Sequence, residues 1–157
     1  MVKNITGITI FFVTIFWGTS VFAKMPGADP GELWNYITKT SPYTQWSFWD
    51  DHKGMIEGRE PHGSLHKVYV NNAAYSSHSV PLKYGAIQVK ENYNKNQKLM
   101  AITVMYKLKG YNPDDGDWFW AKYSPDGMAK PYGKPSGCIG CHGAKADNDF
   151  VIVHDIE

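Results

Sequence analysis

The sequence runs to 157 residues, with 16 Lys and Arg against 15 Asp and Glu, six His and two Cys. That length suits one domain, a formal charge of +1 speaks against a nucleic-acid binder with its strongly basic face, and two cysteines are too few for a disulfide scaffold. With 43% hydrophobic residues and a mean hydropathy of -0.41, the composition excludes a polytopic membrane protein and a disordered tail alike.

Residues 1–23 read as a secretory signal peptide. Lys3 supplies the positive start, Ile5 to Trp17 is apolar and uncharged, and Val21-Phe22-Ala23 sets small residues at a cleavage site. An uncleaved anchor is the competing reading, but the run is short for a bilayer crossing of about 20 residues, and Pro26, Gly27, Pro30 and Gly31 follow at once. Cleavage after Ala23 sends residues 24–157 to the periplasm or another exported location as a single domain. Lys3 is the only charge lost, so the mature chain is balanced.

Asp29-Pro30-Gly31-Glu32 is a predicted helix start, with Asp29 as N-cap and Pro30 at the first position. Leu33, Trp34 and Ile37 form its apolar stripe, and Ser41-Pro42 ends it. Residues 42–64 show no clean period and read as irregular structure pinned by Trp46, Phe48 and Trp49. Strand alternation follows in Leu65–Val70, Ala86–Glu91 and Leu99–Lys107. Asn112 to Gly116 is a turn by composition, so 117–123 pairs back on the third strand as a hairpin. A Gly/Pro-rich loop over 125–137 leads to the cysteines, and Phe150–Val153 reads as a last short strand. The expected fold is mostly β (α+β): an antiparallel sheet with one or two short helices.

Cys138-Ile139-Gly140-Cys141-His142 fits the C-x-x-C-H pattern of covalent haem c attachment. Two thiols at that spacing can each add to one vinyl group of a porphyrin, and the adjacent imidazole is carried under the iron. A thioredoxin-like redox pair belongs instead to an early βαβ unit, whereas this motif is read as lying in a loop near the C-terminus. A zinc site needs two further ligands. The reading is therefore one covalent haem, with Cys138 and Cys141 as anchors and His142 as the iron ligand. Past His142 there is no Met, and His154 is the single candidate for a sixth ligand. Met100 and Met105 read as core. An open distal position follows.

The chain as a whole resembles the cytochrome P-460 and cytochrome c′-beta family. The resemblance rests on Pro61-His62-Gly63, Val68-Tyr69-Val70-Asn71 with Ala74, Gly85 to Glu91, Thr103 to Lys107, Gly116 to Trp120, Cys138 to His142 and Asp149-Phe150-Val151, in that order. It implies a β-rich monohaem fold, often a homodimer, with five-coordinate iron. P-460 types resemble hydroxylamine-oxidising enzymes with a lysine cross-linked to the porphyrin, passing electrons to an acceptor cytochrome. The c′-beta type looks like a non-enzymatic nitric-oxide binder with an apolar pocket. Lys90 matches the cross-linking position and shares its strand face with Ala86 and Gln88, while Ile87, Val89 and Glu91 point the other way. The bland alternative is a surface lysine on an edge strand.

His62 and His66 are the candidate bases for the protons that hydroxylamine oxidation releases, against an ordinary structural role for each. His52 and His78 read as surface. Trp118 and Trp120 face one side of their strand and Phe119 the other, so some of these rings are candidates to wall the haem and others for core or dimer interface. Hydroxylamine oxidation is the leading expectation, nitric-oxide binding the alternative, and plain electron transfer with His154 or a strand Met as sixth ligand the last.

Overall fold

The computed structural model describes residues 24–156; the predicted signal peptide lies outside the described residues. α1 spans Pro30–Asn35 and widens into a further turn, Tyr36–Thr40. Its start follows from capping chemistry, because Asp29 Oδ1 accepts the Glu32 N–H at 2.8 Å. Glu32 itself reaches past the cap to accept the Gly27 N–H at 2.9 Å. Leu33 and Ile37 are fully buried, the stripe the sequence predicts.

Seven antiparallel strands form one sheet: β1 (Ser47–Phe48), β2 (Ile56–Glu57), β3 (Leu65–Val70), β4 (Ile87–Tyr93), β5 (Leu99–Lys107), β6 (Trp118–Tyr123) and β7 (Ala129–Gly133). The order is β1-β3-β4-β5-β6-β7, with β2 also on β3. The helix α2 (Asn72–Tyr75) follows β3, and α3 (Ser136–His142) follows β7.

Because successive strand side chains alternate, the sheet has two inner faces, each with its own core. One buries Tyr69, Val89, Val104, Phe119 and Ala121 against Leu33 and Ile37. The other buries Val68, Val70, Met105, Trp118 and Trp120 against Phe150 and Val151, with Cys138 and Ile139 packed on it. Register lines up Val70, Gln88, Met105 and Trp120 across four strands of this second face. The next row is Val68, Lys90, Thr103 and Lys122. The α3 side of the sheet is therefore the one that carries Lys90.

Three expectations need correction. The loop over 125–137 contains a strand, β7, and the start of α3. The last strand at 150–153 does not form: Asp149 and Phe150 take φ of 52° and 65°, which breaks extended backbone, and Asn148 Nδ2 gathers the Val151 and His154 carbonyls at 2.8 and 2.7 Å. Met105 is core, but Met100, at the start of β5 beside the Asn94 turn, is 52% exposed.

Candidate haem site

The cysteine motif lies on a helix rather than in a loop. Pro135 enters α3, and its carbonyl accepts the Cys138 and Ile139 N–H groups. The three-residue spacing puts both cysteines on one side of that helix. Both are thiols, Cys138 half-buried and Cys141 exposed; burial pushes the Cys138 thiol up.

His142 closes α3. Its Nδ1 lies 2.8 Å from the Phe150 carbonyl, and a carbonyl only accepts, so Nδ1 carries the hydrogen and Nε2 keeps its lone pair. The ring meets Trp120 edge-on at 4.7 Å between centroids and His62 at 6.3 Å. An imidazole fixed in one tautomer with Nε2 as donor atom is the form in which histidine binds a metal.

Lys90 sits on the same side. β4 is interior, flanked by β3 and β5, so the edge-strand alternative does not describe it. Burial pushes its ammonium down to about 8. After burial, Lys90's charge is the largest influence lowering His62 and His66, both to about 4, and it also lowers His52. His142 is lowered too, by burial first, with Lys90 adding to it. The charge of Lys90 thus acts on four histidines.

His62 reaches this ring from the loop between β2 and β3. Gly63 makes that approach possible: its φ is 82°, and a Cβ there would stand 2.6 Å from the Tyr93 carbonyl. His66, on β3, is buried, and its Nε2 lies 2.6 Å from His52 Nε2 with the rings stacked. His52 is therefore not the surface residue its turn-like neighbours suggested. His78 is exposed, as expected. His154 stacks on Trp49 at 4.2 Å, with Nδ1 at 2.9 and 3.0 Å from the Asp51 carboxylate. Glu91 stands on the opposite face, accepting the Tyr43 and Tyr93 hydroxyls at 2.9 and 2.6 Å.

Sequence reasoning missed His52 and the support behind Phe150. Asp149 takes the Leu82 N–H on Oδ2 and the Lys107 ammonium on Oδ1, while its carbonyl takes the Trp118 indole. The one signal in the sequence was the block Asp149-Phe150-Val151, whose partners lie far away along the chain.

The residues fit a haem by a further observation. Among the described residues, the buried side-chain polar atoms lacking a partner are His66 Nδ1, Gln88 Nε2, Asn92 Oδ1 and Trp120 Nε1. All four side chains belong to the α3 side of the sheet. Such groups are costly unless something meets them, and their share of the sheet face on which Cys138 packs suits a large, polar-edged group between α3 and the sheet.

Compared with models of protein families, residues 40–153 match the one described as Cytochrome P460. No curated protein matches the chain.

Proposed function

The chain belongs to the cytochrome P460 family, and from that premise we propose that it is an exported c-type monohaem oxidoreductase that oxidises hydroxylamine. The family makes it a haem protein directed at small nitrogen species. The observation that carries the finer reading is Lys90: a half-buried lysine, its ammonium pushed down to about 8, on the sheet face of His142. A lysine so easily deprotonated is suited to bond through Nζ to a porphyrin edge.

In this reading Cys138 and Cys141 would hold the haem by thioethers, each S–H having added across one vinyl group, and His142 Nε2 would be the donor to the iron. When bound, the haem supplies the electron-accepting centre, and its electrons pass to an acceptor cytochrome. Joining Lys90 Nζ to a ring carbon replaces one N–H and one C–H by a C–N bond. That is a two-electron oxidation, so maturation requires an oxidant of the peroxide class. His62 and His66 do the proton work. Both are held neutral at pH 7 by burial and by the charge of Lys90, so each offers a ring nitrogen to a substrate N–H or O–H and passes a proton on without retaining it. The polar surroundings, with Gln88 and Asn92 beside Lys90, support this reading over a nitric-oxide binder with an apolar pocket. A homodimer goes with the family reading and is measured by the mass of the protein in solution.

Mass spectrometry of haem-bearing peptides from the mature protein is the test. Cys138, Cys141 and Lys90 are expected in one cross-linked species, with hydroxylamine-dependent reduction of an added cytochrome. A fully loaded protein whose Lys90 peptide runs free of haem overturns the oxidase reading and leaves nitric-oxide binding.

A further inference from the structure

The Lys107–Asp149 ion pair is deeply buried, its side chains 3% and 5% exposed, with Nζ 2.6 Å from Oδ1. A pair this deep is poor value as a source of stability, because removing two charges from water costs about as much as their attraction returns. Its position gives it another use. Asp149 immediately precedes Phe150, whose carbonyl holds His142 Nδ1. Both residues take left-handed φ, 52° and 65°, a conformation that is unfavourable for residues other than glycine and persists only where the surroundings impose it.

The Phe150 N–H is held within the turn by the Lys145 carbonyl at 2.8 Å, and the contacts that tie the turn to the sheet run through Asp149. Its Oδ1 takes Lys107 from the end of β5, and its Oδ2 takes the Leu82 N–H at 2.7 Å. Its carbonyl takes Trp118 Nε1 from the start of β6 at 2.9 Å. The Lys107 ammonium is fixed in turn by the Gly116 carbonyl at 2.7 Å and lies 4.8 Å from the Trp118 ring centroid. The turn is thereby bolted to the end of the β5–β6 hairpin, and only its far side, the Phe150 carbonyl, faces the imidazole.

We infer that Lys107 and Asp149, with Trp118, are positioning residues for His142: through the Phe150 carbonyl they fix the orientation and donor strength of the imidazole toward iron. The direction follows from the hydrogen bond. A carbonyl aligned on Nδ1–H makes the ring a stronger donor at Nε2, and a turn that relaxes lengthens and misaligns that bond. This inference rests on His142 as the iron ligand.

The experiment is resonance Raman of the reduced, haem-loaded protein, reading the iron–histidine stretch, with the reduction potential alongside. Asp149→Asn suits the purpose, because Asn tolerates left-handed backbone and can still accept from Leu82. Its band is expected to move to lower wavenumber and broaden, and its potential to rise. Trp118→Phe, which removes the indole donor and leaves a smaller ring in a fully buried position while Lys107 and Asp149 stay in place, is expected to move the band less and in the same direction. A double variant, Lys107→Met with Asp149→Asn, removes both charges. It is expected to unfold at a urea concentration close to that of wild type while its band stays displaced, which a merely structural pair would not do. Wild-type band and potential in Asp149→Asn and in the double variant would overturn the positioning role while leaving His142 as ligand. A wild-type protein with no iron–histidine band would overturn the ligand assignment and this inference with it.

Discussion

His66 is held neutral by burial and by the positive charge of Lys90, which together push it down to about 4. The groups around it are Lys90 on β4, His62 on the loop before β3, and His52, beyond which stand Asp51 and His154. Below its ordinary value of 6.5 the unfolded chain takes a proton that the folded chain refuses. Stability is therefore full above pH 6.5 and falls as pH drops toward 4, by a loss on the order of 3 kcal/mol at pH 4 for a displacement of this size. Urea unfolding of the haem-loaded protein across that window measures it. In His66→Leu this part of the slope is expected to vanish while the plateau above pH 7 stays flat. Equal slopes in both proteins would show that His66 is not the group concerned. The His52 partnership behind this behaviour was invisible in the sequence. The two residues are 14 apart across an irregular segment, and no period links them.

At the scale of elements, the loop before β3 is the part of the site most exposed to a single change. Gly63 has a φ of 82°, and a Cβ there would stand 2.6 Å from backbone, the Tyr93 carbonyl. Backbone cannot swing aside as a side chain can, so Gly63→Ala must lift the loop from β4 and carry His62 with it. A loss of about 1–3 kcal/mol in urea unfolding is expected. Impaired hydroxylamine-dependent cytochrome reduction should accompany it, with the mass of the haem-bearing peptide unchanged, since Cys138 and Cys141 lie on another element. Wild-type stability would mean that the chain accepts a side chain here. The strands themselves were legible because alternation survives in them: the side of β4 that carries Gln88 and Lys90, and the split of Phe119 from Trp118 and Trp120, follow from a period of two. The stretch 150–153 looked like a strand for the same reason, since an apolar run gives no sign of left-handed backbone. What overrides it is tertiary, the grip of Lys107, Leu82 and Trp118 on Asp149. The helix under the cysteines was hidden by Gly137 and Gly140, which read as loop.

For the whole molecule, the two faces of the sheet divide the labour. The helix α1 and the turn that follows it close one face with Leu33 and Ile37, while α3, Phe150 and Val151 close the other, the face of Lys90. A continuous antiparallel meander from β3 to β7 makes the sheet a stiff partition, so changes on the α1 side reach the site only through strand backbone. Leu33 is fully buried, and Leu33→Ala is expected to cost about 2–5 kcal/mol through lost burial and the cavity left behind. The absorption spectrum and iron–histidine band of the loaded protein should stay those of wild type. Trp120→Ala, on the α3 side, removes a ring that is 3% exposed and lies 4.7 Å from His142, so it is expected to cost about as much and to shift both spectra. Sites well separated and without shared partners add in their effects, so the double variant should show the summed loss in urea and only the Trp120 shift in the spectra. A spectral change caused by Leu33→Ala alone would mean that the sheet transmits packing from one face to the other, and the division of labour would fail.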